Sequence, residues 1–198
     1  MNPYAHRAAI YPSLFGPLNW GVVQVSGFET SEVVPDRATI QSVNVVPFIG
    51  DRCVEVEVAG GRLTLPGGTR ELGESLLETA QRELVEEAGA TITSLLPLGF
   101  WTCHSANAEP WRPFFTHPDY IRLILAGEVE LTNRLANPDG GEQIARVSVL
   151  DVAEAATLFE ATGQPELADL YNLAAQIRRV NSLDAVTHSA FDAAMAAK

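Results

Sequence analysis

The chain has 198 residues, a formal net charge of −12, 46% hydrophobic residues and 19% charged residues. This fits one globular domain with extensions. The acidic balance argues against a long nucleic-acid partner, whose phosphates need Lys and Arg contacts. No apolar run of about 18 residues exists to span a bilayer.

The first 20 residues lack a basic head followed by an unbroken apolar stretch. No signal peptide is therefore expected, and the cytoplasm is the expected location. Cys53 and Cys103 belong to no CxxC pair, so they are expected to be buried free thiols rather than zinc ligands.

Residues 1–37 are rich in Pro, Gly and aromatics, with one strand-like stretch at 21–25. They are expected to form an arm or an added edge strand, and a homodimer contact is one use for it. Residues 39–49 predict a buried strand, and Gly50-Asp51 a turn. Val54, Val56 and Val58 alternate with Glu55 and Glu57, the pattern of a half-exposed strand. Gly60-Gly61 predicts a hairpin turn and residues 62–65 its return strand, which Pro66-Gly67-Gly68 ends abruptly.

Residues 74–88 predict a helix, with Leu77, Ala80, Leu84 and Ala88 on one apolar stripe. Strands are expected at 95–104, 120–129 and 144–150. Between the first two of these lies a long aromatic loop, SANAEPWRPFFTHPD. Asp151 and Glu154 predict a capping box, Gly163 a helix end, and Pro165 the first turn of another helix. Ser182 is placed as the cap of a last helix carrying Leu183, Val186 and Phe191. The plan is α/β (α+β): a mixed sheet with helices on both faces. Its divisions are 1–37, a central domain at 38–163 and a helical extension at 164–198.

The run GTRELGESLLETAQRELVEEAGA, residues 68–90, carries the chemistry. At about 100° per residue, Glu83, Glu86 and Glu87 occupy about a 100° arc, beside the apolar stripe. Arg82 stands four residues from both Glu78 and Glu86 and can hold either carboxylate. Three such carboxylates repel one another unless a cation sits among them. Hard oxygen ligands suit Mg²⁺ or Mn²⁺ better than zinc. Such an ion clamps phosphate oxygens and activates water. Gly67 and Gly68 allow a tight approach to the helix, and their carbonyls are candidate metal ligands.

This run resembles the signature box of the Nudix hydrolases, G-x5-E-x7-R-E-U-x-E-E-x-G-U, in which U is a bulky aliphatic residue. Ala90, in place of that last aliphatic, is the one departure. The resemblance implies an α/β/α sandwich that hydrolyses a nucleoside diphosphate linked to another moiety. It implies Glu83, Glu86 and Glu87 as metal ligands together with a carbonyl of Gly67 or Gly68. Glu83 or Glu86 would assist water activation, Glu74 would support the site, and Arg82 would orient a glutamate. The alternative function is a non-catalytic Nudix-fold module that binds a nucleotide or regulates a partner.

Outside the box, Trp101, Trp111, Phe114, Phe115 and Tyr120 are candidates to stack on a base, and Arg112 to meet a phosphate. His104 and His117 are weaker contacts. Glu142, in the glycine-rich turn NPDGGEQ, is the candidate general base, ahead of Glu109 and Asp119. The run AEPWRPF matches only part of the NADH pyrophosphatase signature, and no subfamily is assigned.

Overall fold

The computed structural model describes residues 5–132, 143–181 and 189–198. Its centre is one nine-stranded mixed sheet. The strands are β1 (Leu18–Trp20), β2 (Val23–Thr30), β3 (Ile40–Ile49), β4 (Arg52–Val58), β5 (Leu63–Thr64), β6 (Gly67–Thr69), β7 (Ala90–Ser105), β8 (Asp119–Leu131) and β9 (Ile144–Asp151). They run in the order β1-β2-β7-β8-β3-β4-β5, with β6 added to β3 and β9 to β4. The β3–β8 pair is parallel and the other pairs are antiparallel.

A helix covers each face, which gives the expected α/β/α layering. On one face α3 (Leu76–Ala88) packs Leu76, Ala80, Leu84 and Ala88 onto Val43, Val45, Val54, Val56, Leu123 and Leu125. On the other, α4 (Val152–Ala161) and α5 (Pro165–Asn181) bury Phe159, Leu170 and Tyr171 against Phe48, Cys53 and Ile124. Alternation along β4 explains the division: Val54 and Val56 face α3, while Cys53 faces α4 and α5. Both cysteines are buried and free. No helix among the described residues is long and apolar enough to cross a membrane.

The N-terminal segment forms α1 (Ala5–Ile10), α2 (Pro12–Phe15) and the edge strands β1 and β2. It docks on its own chain. Leu14 is fully buried, and Asp169 of α5 accepts the backbone N–H groups of Ser13 and Leu14 at 2.9 and 3.2 Å. A carboxylate at the start of a short helix supplies acceptors its first turn lacks.

Several expectations need correction. The central helix begins at Leu76, because Ser75 and Glu78 form a capping box there. Glu74 therefore precedes it. This puts Leu76 on the buried stripe, while Leu77 is 38% exposed. Pro66-Gly67-Gly68 does not simply end a strand, since Gly67–Thr69 pairs with β3 as β6. The last helix, α6, spans Ser189–Ala196 and buries Phe191 and Met195. The placed cap Ser182, Leu183 and Val186 lie outside the described residues.

Glu55 was expected on an exposed face but is fully buried. β9 covers the edge of β4 with Ser148 opposite it, and alternation turns Glu55 under the α4–α5 layer. Burial raises its pKa; Arg146 and Ser148 offset only part of that cost. Charging Glu55 in the folded state thus costs more as pH climbs from the ordinary carboxylate value towards the raised one. Glu55→Met is expected to stabilise the protein by about 1–3 kcal/mol at pH 8, and by less at pH 5. Urea unfolding at the two pH values tests this, and an equal or unfavourable shift at pH 8 contradicts it.

Candidate active site

The box loop and helix build a charged cluster around Arg82. Its Nε and Nη2 donate to Glu74 Oε1 and Oε2 at 2.8 and 3.0 Å, a bidentate fork. Nη1 donates to Glu83 Oε1 at 2.7 Å and lies 3.5 Å from Glu86 Oε2. Nη2 also donates to the Thr69 carbonyl at 3.0 Å. One guanidinium thus gathers three box carboxylates and ties the helix to β6. Glu78, the other expected partner, turns away to Lys198 at 2.9 Å, because the capping box holds it at the helix start.

Glu74 is fixed further by the Glu71 N–H and the Thr79 hydroxyl, both at 2.9 Å. Arg82 and these donors hold its pKa down to about 2. Glu83 is buried, and desolvation pushes its pKa up even though Arg82 pulls the other way. Glu87 accepts the Gly67 N–H at 2.9 Å, which fastens the far end of the arc to the same loop.

The two glycines are there for space. A Cβ on Gly68 would lie 2.4 Å from Glu83 Oε1. Gly67 has φ of 136°, and a Cβ there would lie 2.4 Å from Asn44 Cα and Val43 O. Neither backbone atom can move without breaking the β3–β6 pairing. Gly67→Ala is therefore expected to cost about 3 kcal/mol or more, visible as a Tm lower by roughly 6–12 °C. An unchanged Tm contradicts this.

The groups that could hold an ion here, Glu83, Glu86, Glu87 and the carbonyls of Gly67 and Gly68, are all oxygen donors, the chemistry that suits a hard divalent ion. Glu83 and Glu86 are already neighbours through Arg82. Among the described residues no three carboxylate, imidazole or thiolate groups converge closely enough to hold an ion as they stand; Glu83 is engaged by Arg82 and Glu87 by Gly67.

Beside the box lies a cavity of about 250 Å³, with Gly68 and Thr69 on one wall and Trp111, His117 and Tyr120 on another. The aromatic loop reaches it because Gln41 Nε2 donates to the Thr116 carbonyl at 2.6 Å. Of the expected stacking residues, Trp111 and Tyr120 meet this cavity; Trp111 is 78% exposed. Phe115 is buried, and its ring centroid lies 4.6 Å from that of the exposed Phe114. Phe114 and Arg112 do not line the cavity. Trp101 is 2% exposed and packs edge-on against Trp20 and Phe28 in the core. It lies on strand β7 and not on the loop, and of the two cavities it borders only a second one. His104 pairs with Asp119 at 2.8 Å and Glu109 is exposed; none of the three lines the cavity. Glu142 lies outside the described residues. Arg122 and Gln41 also line the cavity; the sequence signal for Arg122 is a lone charge in the apolar run YIRLILAG, and Gln41 carries none.

The NUDIX domain family model matches residues 41–172. Among solved structures, a point mutant of the Bacillus subtilis pyrophosphohydrolase BsRppH is 22% identical, covering 65% of this chain and 72% of that one, with a TM-score of 0.49. A NUDIX hydrolase from Nitrosomonas europaea is 21% identical, covering 75% of this chain and 96% of that one, at 0.49. A structure described as an ADP compounds hydrolase is 16% identical, covering 85% and 100%, at 0.47. No curated protein matches the chain. The assignment rests on the domain model, which spans roughly two thirds of the sequence and contains the whole charged cluster: the chain belongs to the Nudix family of hydrolases acting on acid anhydrides.

Proposed function

We propose that this protein hydrolyses a phosphoanhydride bond in a nucleoside diphosphate linked to another moiety, with Mg²⁺ or Mn²⁺ as cofactor. The observation that carries the reading is the Arg82 fork, which gathers Glu74, Glu83 and Glu86 beside the Gly67–Gly68 loop. An ion held by Glu83, Glu86, Glu87 and a carbonyl of Gly67 or Gly68 would neutralise phosphate charge and activate water. The chain's own part is positioning. Arg82 fixes the carboxylates from behind, and Glu83 offers a desolvated carboxylate that holds a proton more readily than usual. Trp111 and Tyr120 offer stacking surfaces for a base at the cavity wall.

A panel of nucleoside triphosphates, sugar nucleotides and dinucleotides, with Mg²⁺, with Mn²⁺ and with chelator, tests the reading. Metal-dependent release of phosphate, pyrophosphate or a nucleoside monophosphate is the expected result. No turnover of any member above the chelated control overturns it.

A further inference from the structure

Among the described residues, Arg122 is a cation at the edge of a cavity with no carboxylate partner. Arg122 lies on β8, opposite Trp101 of β7 and Ser42 of β3. Its Nη2 makes a long hydrogen bond to Asn44 Oδ1, at 3.3 Å. Its Nε is cut off from solvent and has no hydrogen-bond partner. No carboxylate within ion-pair distance accompanies it among the described residues. The guanidinium lies over the Trp20 ring, 5.0 Å from its centroid, which fixes its orientation. Desolvation pulls its pKa below the usual arginine value.

A half-buried guanidinium with an unsatisfied Nε and no carboxylate partner costs stability, and a ligand that supplies an acceptor would offset that cost. The location of Arg122 indicates the kind of ligand. Arg122 borders both the 250 Å³ cavity beside Gly68 and Thr69 and a second cavity of about 420 Å³. The second cavity is walled by Trp20, Trp101, Arg62 and Gln164, and the indole N–H of Trp101 is also unpartnered. Gly68 and Thr69 line the first cavity together with Arg122, so the cation faces the loop that leads into the box helix. In a chain of net charge −12, such a cation is a scarce local attractor for an anion.

We propose that Arg122 is a substrate-binding residue: its guanidinium takes a phosphate of the substrate at the junction of the two cavities, next to the box carboxylates. A phosphate oxygen there gives the terminal nitrogens a stronger acceptor than the long bond to Asn44, and supplies the charge that no carboxylate within ion-pair distance provides among the described residues. The proposal rests on the hydrolase reading for the identity of the anion as substrate phosphate. Anion binding can be measured without turnover, so the two can fail separately.

The probe is inorganic pyrophosphate, titrated by calorimetry into the full chain in metal-free buffer. Wild type is expected to bind it. Arg122→Gln is expected to bind at least about tenfold more weakly, the loss of one charge-assisted hydrogen bond. Arg122→Lys should fall between, since it keeps charge and loses the fork. Arg112→Gln, on the outer loop, should bind as wild type. Equal affinity in wild type and a folded Arg122→Gln protein overturns the proposal, as does failure of wild type to bind pyrophosphate at about 10 mM. A second measurement avoids any change at Arg122. In Trp111→Phe the remaining indoles are Trp20 and Trp101. Pyrophosphate should alter their emission by neutralising the cation stacked on Trp20, and unchanged emission at 10 mM also overturns the proposal. Turnover that persists with metal while these tests fail would leave the hydrolase reading standing and remove Arg122 from it.

Discussion

Glu87→Gln is expected to lower kcat by roughly 10²–10³-fold, the scale of removing one preorganised electrostatic group, while moving Tm by no more than about 2 °C. The separation follows from the geometry. Glu87 accepts a hydrogen bond from the Gly67 N–H of the loop at 2.9 Å. A glutamine side-chain oxygen can accept the same bond, so the loop keeps its anchor. What disappears is a negative charge held against the Gly67–Gly68 turn. If that charge serves catalysis, turnover falls in a protein that remains folded. Steady-state kinetics on whichever nucleotide the panel identifies, with thermal unfolding of the same preparation, reads both quantities. A variant with wild-type kcat removes Glu87 from the machinery. A variant with collapsed Tm shows that the loop anchor needs the charge and not only the acceptor.

Arg82→Ala should be the most destabilising single change in the cluster, at about 3–5 kcal/mol, or roughly 6–20 °C in Tm. Arg82 and Glu74 expose only 25% and 17% of their side chains, and Glu83 is nearly buried. Removing the guanidinium leaves two desolvated carboxylates without their main donor and frees the Thr69 carbonyl. Arg82→Lys keeps one charge but cannot reproduce the fork, and should lie between.

The same network sets an acid limb. Glu74 has its folded pKa held down to about 2. Its contribution is present above the ordinary carboxylate value of 4.5 and is lost as pH falls from there towards 2. Wild-type stability should drop over that window, and the drop should be smaller in Arg82→Ala. Unfolding curves at pH 6, 4 and 3 test this; parallel losses in the two proteins contradict it. Glu55 and Glu83 act in the opposite sense, since their raised folded values favour the folded state in acid relative to neutral pH.

The box was legible because its demands are local. Helix periodicity puts Glu83, Glu86 and Glu87 on one arc, and Gly89 ends the helix in the left-handed conformation with φ of 58°. The strand–turn punctuation of residues 39–65 and the capping box at Asp151 and Glu154 are local in the same way. Misreadings arose where a distant segment decided the outcome. Glu55 looked exposed because alternation tells which residues share a face, not whether a later helix covers it. Trp101 looked like a stacking residue because it precedes an aromatic loop, yet β2 and Trp20 close over it.

By itself the sequence determined the charged helix, the glycine turn before it and the layered α/β plan, since each depends on spacing within one segment. Only the tertiary structure decided which partner Arg82 takes. Glu78 and Glu86 are equally spaced from it along the helix, yet its bidentate pair is with Glu74, which lies outside the helix, because the capping box commits Glu78 and the loop folds Glu74 back. The tertiary structure likewise decided that Trp111 meets the cavity while Trp101 is core, and that Arg122 has no carboxylate within ion-pair distance among the described residues. Those outcomes depend on which distant strands become neighbours, and no period within one segment encodes that.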